Sequence, residues 1–173
     1  MKYAKPLITT AGIALLIISV VLGHRPDDWE KFDHRTFHAS GVTADASLMI
    51  QTGQSKHERV SLSGIVPADS ASTWLAAHAQ GREVTLMLES PQTRNADGQL
   101  RAFVFVGNVN LNVELVKAGL AYADRRGKSI MDGLIDPAES DARKKKRGFW
   151  STLTDEQQPA WRKAWVRSLP VRG

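Results

Sequence analysis

The stretch PAESDARKKKRGFW, Pro137 to Trp150, reads as one helix with both ends written into it. Asp136 stands as an N-cap before a proline at the first helical position, where a missing N–H leaves nothing unpaired. Glu139 precedes Arg143 by four residues, the favourable order for a charged pair on one helix face. Arg143 to Arg147 fall in the last turns, where the helix dipole favours cations. Gly148 is the expected stop, and Phe149 and Trp150 offer large apolar surfaces to latch that end.

Upstream of this helix the pattern changes to short strands. Phe37–Val42, Ser47–Thr52, Arg59–Ser63, Glu83–Leu88 and Arg101–Val106 are strand-like runs. Turn sequences bound them: Gly53-Gln54-Ser55, Asn95-Ala96-Asp97-Gly98 and Gly107-Asn108. Two helices are interspersed, Asp69–Ala79 ended by Gly81 and Asn112–Ala118 ended by Gly119. That order predicts a mostly β chain with helices, a five-stranded Greek-key barrel of the oligonucleotide-binding (OB-fold) type. Leu48, Ile50, Val60, Leu62, Val84, Leu86, Phe103, Phe105 and Leu115 are its expected core.

At 173 residues there is room for one domain with extensions. Lysine and arginine total 23 against 18 acidic residues, which permits contact with nucleic acid or acidic lipid without arguing for it. There is no cysteine, so a disulfide framework and a thiolate metal site are excluded. Nor do the histidines at 24, 34, 38, 57 and 78 show a zinc-type spacing.

The N-terminal residues 7–23, LITTAGIALLIISVVLG, carry no charge and are just long enough for a membrane span. Lys2 and Lys5 precede the run; Asp27, Asp28 and Glu30 follow it. This flanking charge predicts a single-pass transmembrane helix in the inner (cytoplasmic) membrane, N-terminus in the cytoplasm, domain in the periplasm. The alternative is a signal sequence cleaved near Gly23, which releases a secreted protein. The chain then divides into an anchor at 1–23, a polar connector at 24–35, the barrel domain at 36–150 and a tail at 151–173.

Three stretches in combination resemble the staphylococcal-nuclease-like (thermonuclease) family. They are Val60-Ser61-Leu62-Ser63-Gly64-Ile65, then Asn112 to Ala121 (NVELVKAGLA), and Ala138-Glu139 with Ala142-Arg143, Gly148 and Trp150. The resemblance spans Thr36 to Trp150 and implies a five-stranded barrel capped by three helices. Active members of that family hydrolyse phosphodiesters with one calcium ion. Carboxylates hold the ion, two arginines stabilise the charge growing on the phosphate, and a glutamate activates or orients water.

Carried onto this chain, the site is degenerate. The metal-ligand positions fall on Ala44, Ala46 and Val66, with Asp45 between the two alanines. The arginine positions fall on Ser61 and Gln99, and the glutamate position on Asp69. Arg59 and Arg101 lie two residues from the lost arginines, on the same strand faces, and can reach towards the vacated place. Asp45 is displaced by one residue, which in a strand turns a side chain to the other face. Two alanines and a valine cannot coordinate calcium, so neither catalytic residues nor a cofactor are expected.

The tail adds a last feature. Trp161, Trp165 and Leu169 recur every four residues as an apolar stripe, with Arg162, Lys163 and Arg167 around it. The stripe packs back on the barrel or docks on another protein or an acidic membrane face. Lys144 to Arg147 read as a solvated face of a structural helix. The functional expectation is a non-catalytic nuclease-like domain on the outer face of a membrane, in contact with another membrane protein. The alternatives are a membrane-anchored calcium-dependent nuclease, or nucleic-acid binding without cleavage.

Overall fold

A computed structural model describes residues 27–89 and 92–168. The apolar run at 7–23, His24 and Leu169 lie outside the described residues. Among the described residues no helix is long and apolar enough to cross a membrane.

Strands β1 (Thr36–Val42), β2 (Leu48–Gly53) and β3 (Lys56–Leu62) form an antiparallel meander. After β4 (Ile65–Pro67) and helix α2 (Ala71–Ala79), β5 (Glu83–Leu88) pairs with β1 and β6 (Leu100–Val106) pairs with β5. A parallel contact of β3 with β6, Val60 to Leu100 and Leu62 to Ala102, closes these five strands into a barrel. Its interior takes Leu48, Ile50, Val60, Val84, Leu86, Leu100 and Val104, each with no exposed surface. Phe103, also fully buried, fills the layer between the barrel and the helices. The expectation for Phe105 needs correcting. It is half-buried, packed against the core and not within it.

Several short elements escaped the sequence pattern, β4 among them. Helix α1 (Asp28–Phe32) precedes β1; β7 (Val109–Asn110) follows β6; β8 (Ala121–Ala123) pairs with β4. Residues 27–35 are therefore part of the domain and not a connector. Phe32 is buried against Phe37. Asp28 receives two bonds of 2.8 Å from Arg94, which also binds Glu58 at 2.9 Å. Those bonds, Arg94's first of all, hold the Asp28 carboxyl below the usual carboxylate range.

Helix α3 (Leu111–Lys117) owes its position to Asn112, which is fully buried. Its amide accepts from Val104 N at 3.0 Å and donates to the carbonyls of Ser63 (2.9 Å) and Ala102 (3.2 Å). An interior amide is tolerated only when satisfied in this way. Helix α4 runs from Asp132 to Lys144, one turn earlier than the sequence reading places it. Ile135, fully buried, draws in the extra turn, and Pro137 forfeits one bond to the carbonyl of Gly133. The stop also comes early. Lys146 takes the left-handed position (φ 51°), and Arg147 N donates back to Ala142 O at 2.9 Å. Gly148 serves another purpose. A Cβ on it or on Gly119 would stand 2.1 Å from the backbone of the other strand of this crossing.

The tail is built into the domain. After a 3-10 turn (Gly148–Ser151), α5 (Ala160–Ser168) lies against α4 and β8. Arg162 is 1% exposed and bonds Glu139 through both ends of its guanidinium, at 2.8 and 2.9 Å. This corrects two expectations. Glu139 turns inward, with Ile135, Ala138 and Ala142, to Arg162 and not to Arg143. Arg162 is a buried ion-pair partner and not part of a docking surface. Trp161 meets Tyr122 edge-on at 6.1 Å, and Trp165 lies under Arg125 at 5.1 Å; both tryptophans are half-buried. The side chain of Arg167 lies outside the described residues.

Candidate functional site

Where β3 and β6 meet, the barrel opens into a polar cavity of about 260 Å³. Its walls come from four places. The β1–β2 turn gives Asp45 and Ser47, the end of β3 gives Ser61 and Ser63, the turn before β6 gives Asn95, Asp97 and Gln99, and β6 with the segment after β8 gives Arg101, Asp124 and Arg126. A smaller space of about 40 Å³ adjoins it, sharing Gly64, Arg101 and Asp124 and adding Glu89 and Lys128.

The sequence-derived positions separate into two groups here. Ser61, Gln99, Ala46, Asp45 and Arg101 line the cavity. Ala44, Val66 and Asp69 do not line it. Ala44 and Asp69 are exposed, and Val66 is held opposite Tyr122 in the β4–β8 pair. Asp45 faces the cavity despite its one-residue displacement. Ala46 adopts a left-handed conformation (φ 58°), which breaks the alternation that would have turned Asp45 away.

Each arginine at the site already holds a carboxylate of this chain. Arg59 Nη2 donates to both oxygens of Asp45 at 3.2 Å. Arg101 Nη2 donates to the buried Glu89 at 3.2 Å. Arg126 grips Asp124 in a fork, with two bonds of 2.8 Å. Bonds from Thr43, then Ser47, with the charge of Arg59, hold the Asp45 carboxyl below the usual range. Burial pushes the Asp124 carboxyl up, but the Arg126 fork outweighs it and the net direction is downward. Both are therefore ionised at neutral pH. Gln99, buried, fills the position of a charge clamp without a charge; its side-chain oxygen accepts from Ser47 and Asn95, each at 3.2 Å.

The donor set decides what the cavity can hold. Calcium takes six to eight oxygens. Among the described residues no three acidic or histidine side chains converge where they could share an ion. Of the cavity's carboxylates, Asp45 stands between the degenerate ligand positions Ala44 and Ala46, and Thr43, Ser47 and Arg59 already occupy it. These residues do not fit a calcium ion. They do not fit a phosphate clamp either. Two unit charges 4 Å apart interact by about 4 kcal/mol at an effective dielectric of 20. A phosphate beside Arg126 or Arg101 therefore loses part of the attraction it gains to the charge of Asp124 or Glu89, which already hold those guanidinium groups.

A family model described as staphylococcal nuclease homologue matches residues 50–152, well over half of the chain. The chain belongs to the staphylococcal nuclease homologue family. No curated protein matches it. Membership fits the five-stranded closed barrel and its capping helices. The sequence reading missed Ser63, Glu89, Asn95, Asp97, Asp124 and Arg126 as cavity walls. The adjacent charges Asp124-Arg125-Arg126, two residues after Gly119-Leu120-Ala121, were the one signal for the last two. Lys144 to Arg147 line neither cavity; Lys145 and Arg147 pair with Asp141 at 2.8 and 3.1 Å.

Proposed function

We propose that this chain is a non-catalytic member of the nuclease homologue family, tethered to the outer face of a membrane by residues 7–23. It works by binding, as an accessory subunit of a membrane protein complex. One observation carries the non-catalytic part: the site's arginines are each neutralised by a carboxylate of the same chain. Phosphodiester hydrolysis needs charge stabilisation that strengthens as negative charge grows on the phosphate. A self-neutralised cluster supplies little of it. The tether rests on the uncharged run and its flanking charges. The partner contact is not assigned to the tail, whose Arg162 is committed to Glu139.

The test is cleavage of single-stranded DNA by the full chain in detergent, with and without calcium. The expected result is no cleavage above the buffer rate. Calcium-dependent cleavage that disappears in Arg101→Ala overturns the proposal in favour of a tethered nuclease. Binding of the same DNA, falling steeply with salt and without cleavage, redirects it to nucleic-acid binding. For the subunit role, a protein that always elutes alone from mild detergent contradicts it.

A further inference from the structure

The cavity is too polar to be a packing flaw and too evenly charged for an anion. Asp45, Asp97, Asp124 and Glu89 stand against Arg101, Arg126 and Lys128 on the walls of the two adjoining spaces; with Arg59, bonded to Asp45 from outside the walls, the formal charges cancel. Between them lie the hydroxyls of Ser47, Ser61 and Ser63 and the amides of Asn95 and Gln99. Two groups are left over. Ser63 is 2% exposed and its hydroxyl has no partner; Glu89 is 4% exposed and its Oε1 has none. Buried polar atoms are nearly always satisfied, so an orphan at a cavity wall marks a place for something that hydrogen-bonds.

The ligand's chemistry follows from what these walls offer. Ionised carboxylates only accept, guanidinium groups only donate, and hydroxyls and amides do both. Here acceptor and donor alternate at short range, as in the Asp124–Arg126 fork. An anion gains from the arginines and is repelled by the carboxylates; a cation meets the reverse. An array of neutral hydroxyl groups satisfies both sides at once, since each O–H donates and accepts. We infer that the degenerate nuclease cavity is a binding site for a neutral, polyhydroxylated ligand of the sugar class, seated on Asp97, Ser61, Ser63 and the Asp124–Arg126 pair. This rests on the non-catalytic reading of the same site.

The experiment is saturation-transfer NMR on the full chain in a detergent without a sugar headgroup. The probes are glucose, galactose, mannose, N-acetylglucosamine and trehalose, with inorganic phosphate and glycine as charged controls. At least one sugar is expected to give a saturable signal that neither control competes away. Asp97→Ala removes an exposed wall group with no described side-chain bond; it is expected to leave the melting midpoint unchanged and to weaken binding about tenfold, the equivalent of one lost polar contact. Ser61→Leu, which fills the mouth with apolar bulk, is expected to abolish the signal. A cavity that holds only water gives no saturable signal with any sugar, and that overturns the inference. Tighter binding of phosphate than of any sugar also overturns it, as does sugar binding unchanged in both variants. Absence of sugar binding together with absence of DNA cleavage removes this inference alone; calcium-dependent cleavage removes the non-catalytic reading beneath it.

Discussion

Replacing Glu139 by glutamine should show how firmly the tail belongs to the domain. Glu139 is 3% exposed and its carboxylate takes three bonds, from Arg162 Nη1 at 2.8 Å, Arg162 Nη2 at 2.9 Å and Ala123 N at 2.9 Å. The substitution leaves Arg162, 1% exposed, as a buried cation without its counter-charge. Breaking one side of a buried pair costs about 3–5 kcal/mol. Summing three charged hydrogen bonds at about 1.5–3 kcal/mol each overstates the cost, because glutamine retains an acceptor for part of the set. The expected cost is about 4 kcal/mol, or a fall of roughly 10 °C in the melting midpoint for a domain of this size. Urea unfolding of the full chain, followed by tryptophan fluorescence, measures it. Replacing both partners, Glu139→Leu with Arg162→Met, should recover part of the loss, since apolar packing often matches a buried pair but leucine leaves Ala123 N without an acceptor. A single-substitution cost under about 1 kcal/mol would refute the reasoning and return the tail to solvent.

Other outcomes follow from the same contacts. Gly119→Ala should destabilise by more than about 3 kcal/mol, through a positive φ (69°) and a Cβ 2.1 Å from Arg147 O; a near-neutral result in thermal unfolding would contradict the close crossing. Trp150→Ala should cost about 2–3 kcal/mol, below the full-burial range of about 3–5, because the ring is half-buried beneath Arg143 and Arg162. Asp28, Asp45 and Asp124 have carboxyls held below the ordinary value of about 3.9, so the stability they contribute is present above that pH and is lost as pH falls through their lowered values. Acid unfolding should therefore steepen below about pH 4 and flatten in Asp28→Asn; a curve identical to the parent's would count against the Asp28–Arg94 tie.

The five barrel strands were legible because each has enough residues to show alternation and a turn to bound it. Leu48 and Ile50, or Val84 and Leu86, sit on one face at a spacing of two, and both pairs are buried. Elements of two or three residues, such as β4 and β8, carry no period and exist through their partner. Helix α1 has five residues and depends on Arg94, 66 positions away, for its anchorage. The cavity was half legible. Ser61, Gln99 and Asp45 came from motif positions, whereas Glu89, Asp124 and Arg126 reach the wall only through topology. Asp45 itself shows the limit of face arguments at turns, since one left-handed alanine reverses them. Glu139 pairs with a residue 23 positions on, and its local neighbour Arg143 was the wrong guide.

We propose that the family's metal and phosphate machinery is gone from this cavity, and calcium tests this most directly. A ligand raises the melting temperature only of the state it binds, by an amount set by its concentration relative to Kd. With Ala46 on the cavity wall, Ala44 and Val66 off it, and Asp45 bound by Thr43, Ser47 and Arg59, calcium has no site to saturate. The melting midpoint of the full chain should therefore stay constant as calcium is raised through the sub-millimolar range at fixed ionic strength. A saturable upward shift, abolished in Asp45→Ala, would contradict the account.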